Sequence, residues 1–228
     1  MAATFKVLSA LLSYPGDDLR AASNEISGIL HSEQLINPRL LQALEQLLAE
    51  FATLDLFDLQ ERYVDLFDKT RRLSLHLFEH VHGESRDRGQ AMVDLAALYE
   101  KGGMILVGNE LPDYLPLFLE YLSTRPVAEA RALLADTAHI IASLQERLAK
   151  RGSAYASVFA VLGALAGGGI ATDPGEDEAV DDFVALDAAW EETAVAFGPG
   201  DALGGCSVDR LRTQIRAGRR DVRQTAAH

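Results

Sequence analysis

Residues 76–80 read His-Leu-Phe-Glu-His, a spacing that suits metal chemistry. On a helix the two histidines share a face and can hold zinc while Glu79 activates a water, as in inverted zinc-protease motifs. That chemistry also needs a third ligand from a distant helix beside a substrate-binding sheet, and no stretch here reads as sheet. Glu79 with His82, and Asp136 with His139, have the carboxylate-x-x-histidine spacing of two-metal bundle sites, which require two further inward carboxylates. Arg71, Arg72, Arg86 and Arg88 could grip a phosphate. No GxxxxGK[ST] or GxGxxG supplies backbone donors before a helix, so solvated charge is the simpler reading. No serine stands in GxSxG, and the single cysteine, Cys206, follows two glycines; nucleophilic catalysis has no specific residue set.

A different chemistry is suggested by Asn109-Glu110-Leu111-Pro112-Asp113-Tyr114-Leu115-Pro116. One reading is a loop and a helix start, with Leu111-Pro112 directing the turn and Asp113 capping the helix or complementing its dipole. The other makes Glu110 and Asp113, held beside Tyr114 and Phe118, the acidic rim of an apolar groove.

The elements that must position these residues are helical. Phe5, Leu8, Leu11 and Leu12 recur at helical spacing before Tyr14-Pro15-Gly16 breaks the pattern, and Asp17 or Asp18 can cap the next helix. Asn37 followed by Pro38 predicts a third N-terminus. A fourth helix after Thr53 or Asp55 carries Leu56, Leu59, Tyr63 and Leu66, with Phe57, Val64 and Phe67 widening its apolar face. The pattern blurs from Asp68 to Gly83, returns at Met92, Leu95 and Tyr99, and stops at Gly102-Gly103. Leu115, Phe118, Leu119 and Leu122 share a face of the next helix, and Val127 to Lys150 reads as one long helix. The uncharged stretch Ser153–Thr172 reads as a buried core helix ended by its glycines, because its alanine, serine and glycine content favours membrane insertion weakly. An acidic run, residues 173–182, precedes a last stripe of Phe183, Leu186, Trp190 and Phe197, and an arginine-rich tail follows. The class is all-α.

The 228 residues and formal net charge of −13 fit one helical domain and exclude a nucleic-acid binder, which needs clustered cations. A lone cysteine makes neither an internal disulfide nor a CxxC zinc site. The N-terminus reads as a first helix, not a secretory signal, so the expected compartment is the cytoplasm.

The stretch YVDLFDKTRRLSLHLFEHVHGESRDRGQAM (residues 63–92), followed by NELPDYLPLFLEYL (109–122), resembles the NarJ-type nitrate reductase molybdenum-cofactor assembly chaperones, within the TorD/DmsD group of redox-enzyme maturation proteins. Leu11-Leu12-Ser13-Tyr14-Pro15 matches the opening of that family. The resemblance covers roughly residues 5–150, and Pro112-Asp113-Tyr114 stands where the wider group has proline-Asp-His. It implies a single-domain, TorD-like helical bundle, and the change of composition beyond Gly198-Pro199-Gly200 sets the expected bounds of that domain at residues 1–198, with a mobile arginine-rich tail, 199–228. It also implies a non-enzymatic chaperone without cofactor or metal. Such a protein holds the immature catalytic (alpha) subunit of nitrate reductase, recognises its N-terminal peptide, and releases it after molybdenum cofactor insertion, without binding nucleic acid or inserting stably into the membrane. The residues expected at the peptide surface are Phe67, His80, Arg86, Glu110, Pro112, Asp113, Tyr114 and Phe118. The alternative is a metal-dependent hydrolase using His76, Glu79 and His80.

Overall fold

Asn37 behaves as its residue type dictates: its side-chain oxygen accepts the Leu40 N–H at 3.0 Å and Pro38 fills the first helical position. Capping of this kind satisfies a backbone donor that the helix itself leaves unpaired. Asp55 does the same for the Phe57 N–H at 2.8 Å. A computed structural model describes residues 2–81, 87–108 and 110–167. Within them the helices are α1 (Ala3–Leu11), α2 (Asp17–Ala21), α3 (Ser23–Glu33), α4 (Pro38–Thr53), α5 (Leu56–Tyr63), α6 (Asp87–Lys101), α7 (Leu115–Ser123), α8 (Val127–Asp136), α9 (Ala138–Lys150) and α10 (Ala156–Leu165). Among the described residues there is no strand, and one isolated bridge joins His76 to Tyr114. The all-α expectation therefore holds for the region described. The expected boundary at residue 198, the acidic run, the last apolar stripe and the arginine-rich tail all lie outside the described residues.

Helix α1 packs on α7 and α3, and α10 packs on α9 and α4. The apolar stripes read from the sequence supply the core: Phe5, Leu8, Leu11 and Leu12 from α1, Leu115, Phe118, Leu119 and Leu122 from α7, and Ile141, Leu144 and Leu148 from α9 are all buried. Each such side chain contributes about 1.5–3 kcal/mol by leaving water, which is what holds the short helices in place. The Ser153–Thr172 stretch yields α10, whose Val158, Phe159, Val161 and Leu162 are buried. Gly167, with φ +77°, follows that helix. No described helix is long and apolar enough to cross a membrane.

Several expectations are corrected. The helix expected over Val127–Lys150 is two helices, α8 and α9, broken at Thr137, whose buried hydroxyl donates to the Leu134 carbonyl at 2.8 Å. A buried threonine bonding back to its own turn competes with the helical ladder, and neither apolar stripe reveals that. Phe57 does not widen a buried face: it is 78% exposed. Helix α2 starts after Gly16, and Asp17 and Asp18 sit in its first turn without a side-chain cap. Helix α7 starts at Leu115 with Tyr114 in the cap position, so Leu111 precedes it, and Asp113 does not cap it.

The region where periodicity blurs is where regular helix ends. Helix α5 runs into a π-helical turn, Val64–Asp68, followed by 3₁₀ turns at Arg71–Leu73 and Leu77–His80. Helix α6 then stops at Gly102-Gly103. Gly103 takes φ +84°, and a Cβ on Gly102 would stand 2.5 Å from Cε2 of the buried Tyr121.

Candidate functional site

Asp113 is the centre of the site, and it is 0% exposed. Its Oδ2 accepts the Phe78 N–H at 3.1 Å and its Oδ1 lies 3.0 Å from His76 Nδ1. Arg88 approaches Oδ2 at 3.8 Å while bonding Glu79 at 3.3 Å. The backbone completes the connection: the Leu77 N–H donates to the Asp113 carbonyl and the Leu115 N–H to the Leu75 carbonyl, at 3.0 and 2.8 Å. The turn after α5 and the entrance to α7, distant in sequence, are thus fastened together by a buried carboxylate. Such an anion is tolerated inside because donors surround it. The hydrogen bond that His76 donates to Asp113 is the main cause that raises the His76 proton affinity above the usual histidine value of 6.5, against an opposing effect of burial.

This fastening sets an aromatic row. The His76 and Tyr114 rings lie 5.4 Å apart, and the Tyr114 hydroxyl meets the Tyr63 hydroxyl at 2.9 Å. Tyr63 also donates to the Leu12 carbonyl at 2.9 Å, and its ring is met edge-on by Tyr14 at 5.6 Å. Burial, then the neighbouring Tyr114, pushes the Tyr63 hydroxyl far above the ordinary tyrosine range, so it stays protonated and serves as a hydrogen-bonding post. Tyr14 is 53% exposed and Leu111 45%, while Tyr114, His76 and Pro112 are half-buried. Exposed Asp68 and Glu110 lie close enough for their charges to act on Tyr114. The result is a surface strip with an apolar body, hydroxyl groups and acidic edges.

Of the residues expected at the peptide surface, the structure brings Glu110, Pro112 and Tyr114 to the strip. Asp113, expected on the rim, is instead sealed beneath it. Phe67 and Phe118 are core residues: Phe67 packs at 5.0 Å on Tyr63 and 5.1 Å on Tyr155, and both phenylalanines are buried. His80 is half-buried, and its Nε2 bonds the Ser74 carbonyl at 2.8 Å. Arg86 lies outside the described residues. Tyr14, Tyr63 and Asp68 belong to the site although sequence reasoning did not select them, and His76, selected only as a metal ligand, belongs to it as the partner of Asp113. The available signal was the placement of Tyr14 and Asp68 where helices break.

The HxxEH motif is not on an α-helix. His76 has extended backbone and residues 77–80 form a 3₁₀ turn, so the two histidines lack the one-face stagger of an α-helical i, i+4 pair. His76, Glu79 and His80 engage Asp113, Arg88 and Ser74 respectively. Among the described residues no group of three His, Cys, Asp or Glu side chains is placed to hold a metal ion. Asp136 and His139 fall on either side of the Thr137 break, and His82 is outside the described residues. A cleft of about 460 Å³ between α3 and α4, lined by Leu30, His31, Gln34, Leu35, Ile36 and Pro38 among others, includes none of the expected site residues.

The family described as nitrate reductase delta subunit matches residues 35–161. The chain belongs to that family. It is 46% identical over 196 residues to the nitrate reductase molybdenum cofactor assembly chaperone NarJ of Escherichia coli (strain K12), covering 84% of this chain and 83% of that one. It is 31% identical over 159 residues to the probable assembly chaperone NarJ of Bacillus subtilis (strain 168), covering 70% and 85%. A putative redox enzyme maturation protein from Archaeoglobus fulgidus superposes with a TM-score of 0.51 over 70% of this chain and 90% of its own, at 21% identity. That likeness supports the fold alone. The delta-subunit match includes the Asp113 fastening and the Tyr63–Tyr114 pair, whereas Tyr14 lies before its first matched residue.

Proposed function

We propose that this protein is a system-specific chaperone of nitrate reductase assembly. It holds the immature catalytic subunit ready for molybdenum cofactor insertion. The observation that carries this reading is the 46% identity to a named assembly chaperone, extending over most of both chains. It works in the cytoplasm on this reading and catalyses no reaction of its own.

The contact with the client is assigned to the strip formed by Tyr14, Tyr114, His76, Leu111 and Glu110. A client segment with apolar anchors and basic residues, the N-terminal peptide of the catalytic subunit, lies along it in helical form. Exposed ion pairs with Glu110 or Asp68 contribute only about 0.2–1 kcal/mol each, so they orient the peptide. Burial of its apolar face against the tyrosines supplies most of the affinity. If the chaperone binds the cofactor-free client more tightly than the mature one, it shifts the client population toward the insertion-competent state, and release follows insertion.

Two measurements test this. In titration calorimetry with the client's N-terminal peptide, Tyr114→Ala and Tyr14→Ala are expected to weaken binding at least about tenfold while helicity by circular dichroism is retained. Wild-type affinity in both folded variants would remove the strip from the contact. A pull-down from cells with and without molybdenum cofactor synthesis is expected to recover the catalytic subunit preferentially from the deficient cells. Equal recovery would leave a structural partner rather than a maturation chaperone.

A further inference from the structure

Phe57 is the second residue of α5 and is 78% exposed. Phe57, Glu61 and Val64 are spaced i, i+4 and i+7, which sets them on one face of the helix; Glu61 is exposed and Val64 half-buried. That face adjoins the aromatic strip. The Gln60 side chain donates to the Pro15 carbonyl at 2.9 Å and the Tyr63 hydroxyl to the Leu12 carbonyl at 2.9 Å, so the loop that bears Tyr14 lies along the neighbouring side of α5. At about 1.5 Å of rise per residue, Phe57 stands about 9 Å along the helix from Tyr63. Asp68, beyond the other end of the face, acts electrostatically on both Tyr63 and Tyr114. Carboxylates border the whole stretch. Asp58, Glu61 and Asp68 are exposed, and among the described residues none of them has a cation within 4.0 Å. The nearby cations are held by other carboxylates: Arg62 by Glu50, Arg20 by Asp17 at 3.5 Å, and Lys69, whose charge Glu61 also feels, by Asp65.

We propose that the Phe57, Glu61 and Val64 face of α5 continues the client contact beyond the strip, and that Phe57 with Asp58 and Glu61 receives a lysine or arginine side chain of the client segment. This rests on the chaperone reading above and states what that client must carry. Charge complementarity selects the occupant. An apolar anchor laid on Phe57 would cover the neighbouring carboxylates without giving them a partner, and burying unpaired charge is unfavourable. A cation over the ring is attracted both by the negative face of the aromatic and by the carboxylates beside it. A second copy of this chain, with its net charge of −13, would bring the same acidic face and be repelled. The spacing is also defined. The separation of about 9 Å between Phe57 and Tyr63 spans about six or seven residues of a client helix. A basic residue about two turns from the apolar residue that meets Tyr14 and Tyr114 therefore lies on the same face of that helix and reaches Phe57.

The test is titration calorimetry on the full chain with the synthetic N-terminal peptide of the nitrate reductase catalytic subunit, and with a second peptide in which every lysine and arginine is replaced by glutamine. Phe57→Leu keeps an apolar side chain but removes the aromatic face. It is expected to weaken binding of the native peptide about threefold to fivefold, while Phe57→Tyr binds as wild type does. Glu61→Lys is expected to weaken binding about fivefold at low salt and less at high salt. Val93→Ala, exposed on α6, is expected to change nothing. The glutamine-substituted peptide should bind wild type more weakly than the native peptide does, and should bind Phe57→Leu and wild type alike. The inference is overturned if Phe57→Leu holds the native peptide as tightly as wild type does. It is also overturned if the substituted peptide still distinguishes the two proteins, which makes the occupant an apolar anchor, or if sedimentation shows a dimer that Phe57→Leu dissociates, which makes it a second copy. Each of these results leaves the strip in place as long as Tyr114→Ala weakens binding, whereas a wild type that binds no peptide removes the strip as well.

Discussion

Asp113→Ala separates a rim residue from a buried fastening. The substitution removes the acceptor of the Phe78 N–H and the partner of His76, both at 3.0–3.1 Å, in a place with no water contact at the carboxylate. A buried donor left unpaired costs about 1–3 kcal/mol, and breaking a buried charged pair costs about 3–5 kcal/mol. Because these effects share one group they are not additive, and a total of about 3–5 kcal/mol is expected. For a chain of this size that lowers Tm by roughly 6–20 °C. Asp113→Asn keeps an oxygen for Phe78 but loses the charge, and should cost about 1–3 kcal/mol. Thermal and urea unfolding by far-UV circular dichroism at neutral pH read both. An Asp113→Ala protein melting within about 2 °C of wild type, the behaviour of an ordinary surface substitution, would refute the fastening and return Asp113 to the rim.

The two histidines of the turn should show opposite pH dependence. His76 binds its proton more tightly in the folded protein, so its contribution to stability is complete below pH 6.5 and is lost as pH rises through the raised folded value. The stability gap between wild type and His76→Ala should therefore be widest in mild acid and narrow toward pH 8. A gap that widens with rising pH would contradict the Asp113 contact. His80 binds its proton less tightly when folded, so wild type loses stability as pH falls below 6.5 toward the lowered folded value. His80→Gln should flatten that loss, measured by the same melts. Gly102→Ala places a Cβ 2.5 Å from the ring of buried Tyr121 and should destabilise by about 1–3 kcal/mol in urea unfolding; a neutral result would mean the ring moves freely. Gln34 ends α3 with φ +52°, so Gln34→Gly should stabilise by about 0.5–1 kcal/mol, and a loss of stability would show that the Gln34 side chain matters more than its backbone.

The helices were legible in the sequence because their cause is local. Asn37-Pro38 fixes a start, Gly102-Gly103 fixes a stop, and a 3.6-residue apolar stripe fixes the buried face of α1, α7 and α9. The Thr137 break was hidden because Ala130, Leu133, Ile141 and Leu144 keep nearly the same stripe on both sides of it. Asp113 was misread for a related reason. Asp after Leu-Pro looks like a cap when only its neighbours are considered, but its actual donors, Phe78 and His76, are 35 and 37 residues away. Tyr114 and Glu110 were selected from the Glu110–Pro116 stretch and its resemblance to the family motif, and the structure leaves Glu110 exposed and Tyr114 half-buried. Tyr14 and Tyr63 become part of one site only once α1 and α5 are packed together.

The fastening and the strip explain one another. A helical bundle can bury the face of every helix, yet between α5 and α6 this chain replaces α-helix with a π turn and two 3₁₀ turns, leaving backbone groups that need partners. The Asp113 carboxylate, the Asp113 carbonyl and the Leu115 N–H supply them from the α7 entrance. The same contacts hold Tyr114 half out of the core, with its hydroxyl bonded to Tyr63 and its ring beside His76. Were that segment a continuous α-helix, its backbone would be satisfied internally and Asp113 would have no donor from residue 78. The irregular turn is therefore what creates a preformed aromatic surface, and under the proposed function a client segment meeting it would pay little for ordering this side of the contact.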